Sequence, residues 1–164
     1  MDPVELSVVI ARPREEVFAY LADIANHPEF TDHFLTRWHL TREDSYGRGA
    51  GARFHVGAPL QRFSWADVTL VEVEPPRRIM QRGATGKFNR VRLRVEYLLE
   101  PAPEGGTRVT FQTETEPATP TDRIMEALGL RIWLRRRYGR ALRRLRAILE
   151  DGEQRGVRAT VATR

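Results

Sequence analysis

Cysteine is missing from all 164 residues, which removes disulfides, thiolate metal sites and cysteine nucleophiles from consideration. Lysine is nearly missing as well: Lys87 stands alone, so the 27 basic residues are otherwise arginine. No apolar run is long enough to cross a bilayer, and the N-terminus enters a strand pattern with neither a basic leader nor an apolar signal core. This predicts a cytoplasmic protein without a transmembrane segment. The histidines His27, His33, His39 and His55 fall at no metal-ligand spacing such as HExxH, and no Ser-His-Asp arrangement is visible. Neither a metal, a catalytic triad nor a cofactor is therefore expected. Linkers and internal repeats are lacking too, which predicts a single domain over 1–152 followed by a flexible tail over 153–164.

The formal net charge is +5 and the isoelectric point about 10.3, but the arginines are spread along the chain without interleaved aromatics, so nucleic acid is not an expected partner. Only the last helical stretch concentrates charge. Over 130–150, Leu130, Leu134, Tyr138, Ala141, Leu142, Leu145, Ile148 and Leu149 fall in one stripe, while Arg136, Arg137, Arg140, Arg143 and Arg144 crowd the other side. That arginine face is either solvated or docks on an anionic membrane or acidic partner.

The rest of the chain supplies what the apolar stripe must cover. Val4 to Ile10 alternates as a strand. Pro13, Glu15 and Glu16 open a helix carrying Val17, Phe18 and Leu21, and a second short helical segment follows with Phe30 and Phe34 as anchors. From Arg37 the pattern turns to strands: 37–43, 52–58, 63–74, 77–82, 91–99 and 108–116, joined by hairpin-length turns at Gly47–Gly51 and Gly105–Gly106. Connections this short mean antiparallel pairing, so the fold class is α+β, a curved antiparallel sheet of about six to seven strands around one long C-terminal helix.

The succession Val8-Ile10-Ala11-Arg12-Pro13, Glu16-Val17-Phe18-Ala19-Tyr20-Leu21-Ala22-Asp23, Asn26-His27-Pro28-Glu29-Phe30, Gly49-Ala50-Gly51-Ala52-Arg53-Phe54 and Val71-Glu72-Val73-Glu74-Pro75-Pro76-Arg77-Arg78-Ile79 resembles the START-like superfamily. Within it the match is to the SRPBCC group of polyketide cyclase/dehydrase and lipid-transport type, over nearly the whole chain. The resemblance implies the helix-grip fold with two short helices after the first strand. It also implies a cavity between sheet and helix that takes a small hydrophobic molecule.

Parity along the strands and the helix stripe nominate Trp38, Phe54, Trp65, Asp67, Leu93, Val95, Tyr97, Phe111, Thr113, Leu134, Tyr138 and Leu142 as cavity lining. Asp67 faces inward on this reading unless a bulge turns it out. A cyclase, aromatase or dehydratase would use Asp67 or Tyr138 for proton transfer, but no catalytic residue can be assigned from the sequence. Trp133 lies off the apolar stripe. It is expected to be covered by 120–128 folding back, with a partner copy in a homodimer or a membrane as the alternatives.

Overall fold

The computed structural model describes residues 3–59, 64–125, 129–152 and 155–161. In chain order they form β1 (Val4–Ile10), α1 (Arg14–Ala22), a 3-10 turn (Ile24–Asn26), α2 (His27–Thr31), β2 (Leu35–Leu40), β3 (Gly51–Val56), β4 (Trp65–Glu74), β5 (Arg78–Thr85), β6 (Val91–Pro101), β7 (Thr107–Glu116), α3 (Pro120–Met125) and α4 (Arg131–Asp151). The sheet has seven strands in the order β1-β7-β6-β5-β4-β3-β2, and every neighbouring pair is antiparallel. This is the helix-grip arrangement.

Curvature has local causes. The β2–β3 register shifts between Thr36 and His39, around Arg37 with its φ of 53°, and the β4–β5 register shifts between Leu70 and Glu72. At Gly83 a Cβ would lie 2.1 Å from the Asp67 carbonyl oxygen, so β4 and β5 approach there as only glycine allows. The concave face of the resulting trough holds α4, whose Leu145 is fully buried together with Ile10, Leu70, Ile79, Leu99 and Phe111. The C-terminal half of α4 is pinned. Arg12 donates from Nε to the Leu149 carbonyl at 2.8 Å and from Nη2 to that of Glu150 at 3.0 Å, and Gly152, at φ 65°, closes the helix in the left-handed conformation.

Residues 155–161, part of the stretch expected to be a flexible tail, lie against the body of the fold. Ala159 donates its N–H to the Ala25 carbonyl, and the Thr160 carbonyl accepts from Leu40 at 2.8 Å. Arg158 pairs with Asp23 at 2.6 Å, and Val161 bridges Leu40 in parallel. This strap covers the open edge of β2, where unpaired backbone groups would otherwise face solvent. Residues 153–154 and 162–164 lie outside the described part. Among the described residues no helix is long and apolar enough to cross a membrane.

Candidate functional site

Between the concave sheet face and the first half of α4 lies a void of about 60 Å³. It is lined by Leu35, Phe54, Val56, Ala66, Thr85, Leu93, Thr113, Thr115, Leu130, Leu134 and Tyr138. It sits at the end of the trough where β5 gives way to β6 and α4 begins. The walls are almost wholly apolar, and their polarity is confined to threonine hydroxyls and the Tyr138 phenol. Thr85 spends its hydroxyl on the Trp65 carbonyl at 2.9 Å. Tyr138 makes no hydrogen bond among the described residues, yet no enclosed side-chain polar atom there lacks a partner. The Tyr138 side chain lines the void.

The Tyr138 ring is held firmly. It stacks on Phe111 at 4.2 Å between centroids and meets Phe34 edge-on at 4.9 Å. Burial raises the pKa of the Tyr138 phenol well above its ordinary value and does the same for Tyr97. Both are neutral at physiological pH, as hydrogen-bond donors rather than bases. Behind them the aromatic wall continues through Tyr97 on Phe111 at 5.3 Å and His27 on Tyr97 at 5.8 Å. It ends with Trp38 stacked on Phe54 at 4.3 Å.

His27 is a structural member of this wall. Its Nε2 lies 2.9 Å from the Leu21 carbonyl and so carries the proton it donates there, leaving Nδ1 to face the Gln81 amide nitrogen at 3.4 Å. Full burial lowers its pKa to about 4. His33 caps the other side of the helix, with Nε2 3.2 Å from the Arg137 carbonyl.

Of the residues nominated from the sequence, the structure brings Phe54, Leu93, Thr113, Leu134 and Tyr138 together around the void. Trp38 is half-buried, and Val95, Tyr97, Phe111 and Leu142 are buried; these pack in the core beside the void. Trp65 and Asp67 are corrections. On β4 the buried positions are Ala66, Val68 and Leu70, so the parity is opposite to that expected. Registers explain it: Phe54 faces Ala66 across the strands, whereas Arg53 faces Asp67 and His55 faces Trp65. Asp67 lies 3.7 Å from Arg53 on the outer face, and Trp65 is covered there by the Arg53 guanidinium at 5.2 Å and by His55 edge-on at 5.6 Å. A role for Asp67 in proton transfer inside the cavity falls with this placement. The sequence reading of the cavity missed Leu35, Ala66, Thr85, Thr115 and Leu130. Thr115 continues the parity of Phe111 and Thr113 and could have been found; Thr85 lies beyond the expected strand end.

Trp133 is half-buried and packs edge-on against Phe34 at 5.8 Å, with the Arg137 guanidinium 5.5 Å above its ring. Of its expected cover over 120–128, residues 126–128 lie outside the described part.

The sequence model of one family, described as polyketide cyclase/dehydrase and lipid transport, matches residues 1–150. No curated protein matches in sequence. Among solved structures, the protein TTHA0849 of Thermus thermophilus aligns with a TM-score of 0.68 at 14% identity, over 93% of this chain and 99% of that one. DynU16, from the dynemicin biosynthetic locus, gives 0.61 at 19% identity, over 93% of this chain and 48% of its own. The Aha1 dimer from Colwellia psychrerythraea gives 0.63 at 14% identity, over 94% and 100%. Such likeness shows the fold.

Proposed function

The chain belongs to the polyketide cyclase/dehydrase and lipid-transport family, and from that premise we propose that it binds a small hydrophobic molecule between the sheet and the first half of α4. The observation that supports this best is the void itself, an oily space with the stacked Tyr138 in its lining. Apolar walls drive the ligand out of water, and the Tyr138 hydroxyl orients a carbonyl, ether or hydroxyl on it. The polyketide or isoprenoid class fits that description, and one structural relative comes from a biosynthetic locus. Binding is favoured over catalysis because the described lining carries no carboxylate, imidazole or basic group. General acid–base chemistry would rest on a phenol held firmly protonated.

A void of about 60 Å³ is smaller than the roughly 300 Å³ or more that encloses a drug-sized ligand. Uptake therefore requires the first half of α4 to move outward. Native mass spectrometry after incubation with lipid and polyketide extracts tests the reading. An adduct should form with the wild type and be lost in Leu93→Trp, which fills the void. If extracts of every class leave the wild type unliganded, the binding reading is wrong.

A further inference from the structure

The end of the molecule that carries the void has charge and apolar exposure that neither the fold nor a ligand in the trough explains. The first two turns of α4 present Arg131, Arg135, Arg136 and Arg137 to the positive end of the helix dipole, with no acidic residue in the first turn and no side-chain cap at Leu130. A helix normally places carboxylates there, so these arginines work against it. Among the described residues the ion pairs of α4 are Arg144 with Asp32 and Arg146 with Glu150, both in its second half. The first-half arginines lack a carboxylate partner there. Ile132 is 61% exposed, and by helical spacing it projects between Arg135 and Arg136, opposite the buried stripe.

The β5–β6 loop adds a second, independent sign. Thr85 and Leu93 line the void on either side of it, and at its tip Phe88 is 86% exposed. Phe88 has φ 60° and Asn89 φ 53°, two successive left-handed residues neither of which is glycine, an unfavourable conformation for a bulky side chain. Its only ring neighbour among the described residues is the Lys87 ammonium at 5.1 Å. The chain's single lysine thus adjoins the most exposed aromatic among the described residues. Ile124 on α3, 60% exposed, lies beside Arg123 on the approach to α4.

We infer that this end docks on a membrane surface rich in anionic phospholipid. Phe88 and Ile132 enter the headgroup region while Lys87, Arg131, Arg135 and Arg136 engage the phosphates. An apolar wedge ringed by cations matches the interfacial layer of such a bilayer and does not match a rigid polyanion, which offers the exposed Phe88 nothing apolar. The inference goes beyond ligand binding by naming the surface on which the opening is set.

Co-sedimentation with phosphatidylcholine vesicles containing about one third phosphatidylglycerol tests it, with pure phosphatidylcholine as the reference. The protein should bind the anionic vesicles and release as salt rises. Arg135→Glu and Arg136→Glu should each weaken binding about tenfold, and Phe88→Ser about tenfold without altering the salt dependence. These side chains are exposed, so the fold should survive. Arg108→Glu makes the same charge change on an exposed residue at the opposite end of the sheet and should change affinity less than about twofold. Equal weakening by Arg108→Glu, indifference to Phe88→Ser, equal binding to neutral vesicles, or tighter binding to duplex DNA would each overturn the proposal. Leu93→Trp separates this reading from the previous one, because it should abolish ligand adducts and leave vesicle binding intact.

Discussion

Tyr138 is the phenol in the described lining of the void, its ring fixed by Phe111 and Phe34. Tyr138→Phe should keep stability and weaken ligand binding by about 0.5–1.5 kcal/mol, roughly two- to twelvefold, readable by fluorescence titration; unchanged affinity would take the phenol out of the contact. His27 has the opposite character, wholly enclosed and neutral. Its folded pKa is near 4 against an ordinary 6.5, so the unfolded chain binds the extra proton first. Its contribution is present above pH 6.5 and is lost as pH falls through 4, up to about 3 kcal/mol at about 1.4 kcal/mol per pH unit. Urea titrations between these limits should show the wild type losing stability more steeply than His27→Gln; parallel curves would show that His27 protonates without cost. Single residues are also where the sequence was hardest to read. Trp65 drew the β4 parity toward itself as the largest apolar group, although Val68 and Leu70 carried the correct alternation with small Ala66 completing it. Period-2 reasoning cannot tell which set faces inward when a tryptophan can be covered outside by an arginine and a histidine.

Elements were far more legible. The stripe of α4 and the alternation of β6 repeat over many residues, so one misplaced side chain does not alter the assignment. The strap over 155–161 was not legible, because it docks mainly through backbone groups on the β2 edge, and nearly any sequence can offer those. Ending the chain after Gly152 should cost about 2–4 kcal/mol, from the lost hydrogen bonds and the lost burial of Ala159. The Leu40 amide, bound to the Thr160 carbonyl in the intact chain, should then exchange quickly with deuterium. Continued protection of Leu40 would mean that the strap does not hold this edge. At the start of α4 the expected sign is the reverse. Arg131→Glu places a carboxylate where the helix dipole favours one and should add about 0.3–1 kcal/mol, raising Tm by a few degrees at most. If Arg131 instead supports the fold through its long 3.5 Å contact to the Pro3 carbonyl, Tm will drop.

At the scale of the molecule, a narrow void must admit a ligand several times its size, and the two halves of α4 are unequally able to give way. Beyond Ala141 the helix buries Leu142, Leu145, Ile148 and Leu149 and is tied to the bend after β1 through Arg12. Before Tyr138 it contributes Leu134 to the void, beside Leu130 at its cap, and the half-buried Trp133 to Phe34. Gly139 stands between these halves. Packing does not require glycine there, since a Cβ would meet nothing nearer than the Arg143 guanidinium at 3.8 Å. Glycine in a helix interior costs about 1 kcal/mol relative to alanine, because its backbone has more freedom to lose. A residue that weakens the helix without filling a tight space lies where outward bending would open the trough and leave the C-terminal anchor in place. Gly139→Ala should accordingly raise stability by about 1 kcal/mol and slow ligand uptake in stopped-flow mixing, with release slowed in step so that equilibrium affinity changes little. A stabilised variant with unchanged uptake would place the opening before α4, in the segment around Gly129.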